Sequence, residues 1–218
     1  MAGSVGITTT RFFEFNNPRK PLQLRVGGKL SRFTLAYEMY GRMNASKSNV
    51  ILIFHAMTGS QHAAGINHRV PGLNRHWTEE MHEGWWDAFI GPGKALDTRK
   101  FCVICANYLG GCYGSTGPGS INPETCRPWG PSFPVLRIVD IVESQLKLLD
   151  SLGVKKLHAV TGASIGGYLS LLLATLYPED IVVADEIPEL TKGLPTTPIV
   201  LNNDSPSLTP LEENPDPS

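Results

Sequence analysis

Two unbroken apolar runs, VILIF at 50–54 and FCVIC at 101–105, constrain this chain more than any other feature. A strand with one wet face alternates apolar and polar side chains, so a continuous run has to be covered on both faces. That is the setting of a parallel strand, and LHAVTG at 157–162 is a shorter run of the same kind. RIVDIVESQLKLLDSL at 137–152 repeats at helical spacing. It places Ile138, Ile141, Val142, Gln145, Leu149 and Leu152 on one face before Gly153 stops it. YLSLLLATLY at 168–177 is apolar nearly all round, which predicts a buried helix ended by Pro178. Strand, helix, strand, glycine turn and helix in that order predict an α/β fold on a parallel sheet. Upstream, LQLRV at 22–26 runs through Gly27-Gly28 toward FTLAYEMYG, where Phe33, Leu35, Tyr37 and Met39 alternate with their neighbours; the pair reads as a hairpin.

The same periodicity disposes of a tempting motif. Cys102 and Cys105 form a CxxC, but on a strand side chains three apart point to opposite faces. They cannot share a metal or a disulfide there, and a buried structural role is expected. Length and composition exclude further classes. The chain has 218 residues, enough for one sizeable domain, with 41% apolar and 18% charged residues, so it is not wholly disordered. No stretch approaches 18 uninterrupted apolar residues, and MAGSVGITTTRFFEF lacks a signal-like apolar segment; no membrane span and a cytoplasmic address are expected. Up to Pro178 there are 18 basic against 11 acidic residues, and beyond it one against nine. The basic residues are scattered rather than clustered, which argues against a nucleic-acid partner. One domain is therefore expected over 1–180. The stretch 181–218 reads as an acidic, Pro-rich, poorly ordered tail, apart from a short strand at IVVA. The Gly/Pro-dense stretch 107–134 and the segment 55–100, which holds five of the six histidines, read as long loops of a functional or mobile kind.

The sharpest chemical signal is Gly162-Ala163-Ser164-Ile165-Gly166-Gly167, a G-x-S-x-G between a predicted strand and a predicted helix. A nucleophile on so sharp a turn needs small neighbours, and the turn exposes the Ser164 hydroxyl at the N-terminus of the following helix. His55-Ala56-Met57-Thr58-Gly59 directly follows VILIF. In α/β-hydrolase sites one oxyanion donor is the N–H after the nucleophile and the other comes from a loop after an early strand. Ile165 and Met57 fill those positions, each donor contributing about 3 kcal/mol to the tetrahedral intermediate. His55, adjacent to the strand end, is expected to order this loop rather than act as a base.

HAMTGSQHAAG, then GWWDAFIGPGKALDTRKFCVICANYLGGCYGSTGPGSINPET, then GASIGG, resemble the homoserine O-acetyltransferase family of α/β-hydrolase-fold acyltransferases. The resemblance runs from about residue 30 to Pro178. It implies an α/β-hydrolase fold, here truncated after the nucleophile elbow, with Ser164 as nucleophile and Met57 and Ile165 as oxyanion donors. It also implies a two-step reaction with no bound cofactor and no metal. Serine takes an acyl group from acetyl-CoA as co-substrate and passes it to the hydroxyl of an amino acid or related metabolite. Ile165 stands where the family usually has Met, and Val139 where it usually has Arg. The family's Asp and His, which follow the nucleophile, have no counterpart: no histidine occurs after His158. An upstream substitute from His55, His62, His68, His76 or His82 is a minor alternative, and a metal site from the loop histidines is not expected from their spacing. A secondary-metabolite acetyltransferase, a serine esterase and a catalytically dead fragment stay open. An unpaired sheet edge makes a homo-oligomer a candidate state.

Overall fold

The computed structural model describes residues 3–181. Five strands form the main sheet: β1 (Arg11–Asn16), β2 (Arg32–Tyr40), β3 (Val50–Phe54), β4 (Cys102–Ala106) and β5 (Ala159–Gly162). Two helices, α1 (Ile138–Leu152) and α2 (Ile165–Leu176), flank β5 in the chain. The spatial order is β1-β2-β4-β3-β5. β1, β2 and β4 pair antiparallel, with Phe13 opposite Leu35 and Met39 opposite Ile104. β4, β3 and β5 run parallel, with Leu52 opposite both Ile104 and Val160. The parallel core expected from the apolar runs is present, and every residue of β3 and β4 is buried.

The two faces of these strands are covered differently. Val50, Leu52, Phe54, Cys102 and Ile104 face Val142, Leu148 and Leu149 of α1 and Leu169 and Leu173 of α2. Ile51, Ile53, Val103 and Cys105 face Ala63, Ala64 and Ile90, which belong to the long segment after β3. A folded loop thus does on one face what helices do on the other. Cys102 and Cys105 fall on opposite faces, as strand parity requires, and both are free thiols.

A buried polar cluster anchors that loop. The Glu38 carboxylate on β2 accepts hydrogen bonds from Thr10 (2.7 Å), Asn67 (2.7 Å), Tyr40 (3.1 Å) and His62 Nδ1 (2.9 Å). Burial pushes this carboxyl upward, but the bonds from His62, Thr10 and Asn67 outweigh it and hold the group below its ordinary range. His62 Nε2 reaches the His82 carbonyl at 3.0 Å, so both ring nitrogens are within hydrogen-bond reach of oxygen atoms. Glu38 and His62 form a buried hydrogen-bonded pair, each side chain almost fully out of water.

Three expectations need correction, and one strand goes unassigned. Leu22–Gln23 does not pair with the long strand: it forms a small ribbon with Lys29–Leu30 around Gly27 and Gly28, both at positive φ. The partner of β2 is β1, which has no strand assignment in the sequence reading because Arg11 and Glu14 break its apolar pattern. On α1 the buried face is rotated: Ile138 is exposed, while Asp140, Ser144 and Leu148 are buried. Asp140 accepts bonds from the Arg137 and Arg25 amides (2.7 and 3.0 Å), fixing the helix start and the ribbon loop together. Finally, α2 is not buried all round, since Tyr168, Leu171 and Leu176 are exposed among the described residues. Ile181 bridges Leu157 in the parallel sense. The rest of the expected IVVA strand and the acidic tail over 181–218 lie outside the described residues.

Candidate active site

β5 ends at Gly162, α2 starts at Ile165, and Ser164 turns the chain between them at φ 57° and ψ −121°. A non-glycine residue at positive φ is strained, and the surrounding glycines make the turn sterically possible. A Cβ on Gly166 would collide with the Phe54 carbonyl oxygen, and one on Gly162 with the backbone of Gly166. Gly167 is different, because a Cβ there would have its nearest neighbour at an ordinary 3.5 Å. The Gly166 and Gly167 amides close the turn onto the Ala163 and Ser164 carbonyls, each at 2.9 Å. Ser164 is thereby left exposed, and among the described residues its hydroxyl has no hydrogen-bond partner.

Met57 lies just past β3, the strand adjacent to β5. Neither the Met57 nor the Ile165 amide donates a hydrogen bond among the described residues. Both residues line one cavity of about 350 Å³, with Leu109, Phe133, Leu136 and Ile141 supplying apolar walls. The Ile165 amide directly follows the exposed Ser164 at the N-terminus of α2, an end of a helix that favours negative charge.

His55 shapes the Met57 loop from below. It is 2% exposed, and its Nδ1–H donates to the Ala56 carbonyl at 2.6 Å. Its ring stacks on Tyr108 with centroids 3.7 Å apart, and the Tyr108 hydroxyl donates to the His55 carbonyl. Burial drives the imidazole down to a pKa of about 4, against the contrary effect of the Ala56 carbonyl and Asn107. The ring is therefore neutral near pH 7, with its proton on Nδ1. His55 Nε2 and Asn107 Nδ2 are both buried without a partner. Tyr108 and Asn107 are site residues that sequence reasoning did not single out. Their one available signal is position, at the C-terminal end of β4, where open α/β sheets bind ligands.

The remaining histidines stand elsewhere. His158 packs on Phe101 and donates its amide to the Val50 carbonyl, at the opposite end of the sheet from Ser164. His62 is committed to Glu38, and His68 and His82 face one another. No histidine hydrogen-bonds Ser164, so an upstream base finds no support. No group of three or more His, Cys, Asp or Glu residues among those described could hold a metal ion. No helix among them is long and apolar enough to cross a membrane.

A mixed sheet that presents serine on a strained turn between a parallel strand and a helix is the arrangement of the α/β-hydrolase class. The chain belongs to the alpha/beta hydrolase fold family, matching it over residues 49–197. More narrowly, it is 49% identical over 175 residues to a homoserine O-acetyltransferase of Moorella thermoacetica, covering 80% of this chain and 44% of that one. It is 45% identical over 192 residues to a homoserine O-succinyltransferase of Azoarcus, covering 87% and 47%. The chain spans about half the length of the curated relatives it matches. Among solved structures, the homoserine O-acetyltransferase of Bacillus anthracis superposes with a TM-score of 0.69 at 35% identity, covering 80% of this chain and 45% of that one. The crystal structure of an esterase superposes equally well, at 0.68 and 38% identity over the same shares.

Proposed function

We propose that this chain carries the acyl-accepting part of an O-acyltransferase that moves an acyl group from coenzyme A to the hydroxyl of homoserine, a step toward methionine. Ser164 Oγ attacks the thioester carbonyl. The oxyanion that forms is held by the Met57 and Ile165 amides, the thiolate leaves, and an acyl-serine ester results. The homoserine hydroxyl then attacks that ester through a second tetrahedral intermediate in the same hole, releasing the O-acyl amino acid and restoring Ser164. The serine proton passes to the departing thiolate, and the acceptor's proton returns to serine. No described histidine is in place to relay these protons, and without such a relay a serine hydroxyl reacts slowly.

The observation that carries this reading is the exposed, strained Ser164, followed by the unpaired Ile165 amide that shares a cavity lining with Met57, in a chain similar to homoserine acyltransferases. Coenzyme A thioesters are intracellular donors, which fits a cytoplasmic address. The likeness to a solved esterase favours one second reading, in which water takes the acyl group from the same serine. To separate them, the protein is incubated with acetyl-CoA or succinyl-CoA, with and without L-homoserine, and thiol release and O-acylhomoserine are quantified. O-acylhomoserine made by the wild type and lost in Ser164→Ala is the expected result. Thiol release with free acid alone supports the esterase, and activity undiminished in Ser164→Ala overturns both.

A further inference from the structure

His68 and His82 lie 14 residues apart, in the part of the loop that the acyl-transfer reading does not use, yet they come together at the surface. Their Nδ1 atoms face each other at 3.3 Å, with ring planes at 86° and centroids 5.0 Å apart. The nitrogens are closer than the ring centres, so the two rings turn their Nδ1 edges toward each other. Two imidazole nitrogens ~2.0–2.1 Å from one tetrahedral metal stand ~3.3–3.4 Å apart, the separation seen here.

The backbone holds this spacing. The Asn67 amide donates to the His82 carbonyl at 2.9 Å, and Ile66 bridges Glu83 in the antiparallel sense, so the two histidines flank a short paired segment. That segment is tied to the interior on both sides. Asn67 donates to Glu38 and accepts from the Trp77 indole at 2.8 Å, while the His82 carbonyl accepts from buried His62. The two rings therefore project from positions fixed by buried hydrogen bonds, which lowers the ordering cost of chelation.

We propose that His68 and His82 form a two-histidine site for a borderline divalent transition metal such as Zn²⁺ or Ni²⁺. Imidazole suits these ions, whereas Mg²⁺ and Ca²⁺ require oxygen ligands. No third His, Cys, Asp or Glu completes the set among the described residues, so water fills the open positions. Bound metal cross-links the two arms of the loop that covers one face of β3 and β4. The site is independent of the acyl-transfer reading.

Isothermal titration of the untagged full chain with NiCl₂ and ZnCl₂ tests it, with MgCl₂ as control. One equivalent of Ni²⁺ or Zn²⁺ binds the wild type and raises its melting temperature. His68→Ala and His82→Ala each weaken binding at least ten-fold, and His76→Ala leaves it unchanged. If either variant fails to fold, the wild-type histidine ring signals in NMR decide, since Zn²⁺ has to shift those of His68 and His82. Absence of binding at millimolar metal, binding retained in both variants, or zinc shifts on other histidines overturns the proposal.

Discussion

Ser164, the proposed nucleophile, is also a strained residue. Its backbone sits at φ 57° and ψ −121°, a conformation that costs about 1–3 kcal/mol for a residue with a side chain. Ser164→Gly removes the strain together with the nucleophile, so chemical denaturation should find it about 1 kcal/mol more stable while acylation is lost. A variant of equal or lower stability contradicts the strained geometry. His55 makes a second, pH-dependent prediction. Its folded pKa of about 4 lies below the ordinary 6.5 of an exposed histidine, so the unfolded chain binds the extra proton first. The stabilisation is complete above pH 6.5, declines as pH falls from 6.5 to 4 and levels off below; it amounts to about 3 kcal/mol. Glu38 adds a loss of its own as pH falls below the usual carboxylate range, because its folded pKa is depressed. Urea unfolding at stepped pH should find the loss between 6.5 and 4 in the wild type and much less of it in His55→Gln. The same slope in both proteins contradicts a buried neutral His55.

At the scale of elements, the turn between β5 and α2 separates two glycines that look alike in sequence. Gly166→Ala drives a methyl group into the Phe54 carbonyl and should cost about 3 kcal/mol by thermal or chemical unfolding. Gly167→Ala has room in the first turn of α2 and should be neutral or gain about 0.5–1 kcal/mol. Strand parity on β4 makes a chemical prediction. Burial pushes the Cys102 thiol up to about 11 and Cys105 well above its ordinary value, while Cys112 and Cys126 are exposed. A chromogenic disulfide reagent should therefore titrate two thiols fast in the native protein and four only after denaturation; four fast thiols contradict the packing. These elements also mark what the sequence makes legible. β3 and β4 can be read directly because both faces of each are covered, leaving no polar position in the run. β1 cannot, because the adjacent Phe12 and Phe13 leave only Phe13-Glu14-Phe15 in alternation at a half-exposed edge, and its pairing with β2 is non-local. The apolar content of α2 says that it is helical but not which side meets the sheet, so Leu171 and Tyr168 face outward against expectation.

For the molecule as a whole, the catalytic elements follow from where the sheet ends. Parallel β3, β4 and β5 place Met57, Tyr108 and Ser164 at their C-terminal ends, although these residues span more than a hundred positions of sequence. The Ser164 elbow is legible because its geometry is local and demands small residues in a fixed pattern. The support of Met57 by His55, Tyr108 and Asn107 is not, because it depends on the register of β3 against β4, with Ile53 opposite Cys105. The loop after β3 likewise reads as a polar excursion, yet it covers one face of the sheet and is anchored by the buried hydrogen bond between Glu38 and His62. What unites these scales is the proposal that the Ser164 hydroxyl receives an acyl group with the Met57 and Ile165 amides as oxyanion donors. Peptide-mapped mass spectrometry of the full chain after prolonged incubation with acetyl-CoA tests this most directly. One acetyl group on Ser164, absent from Ser164→Ala, is the predicted result; an unmodified Ser164 peptide, or acetylation confined to lysines, contradicts it.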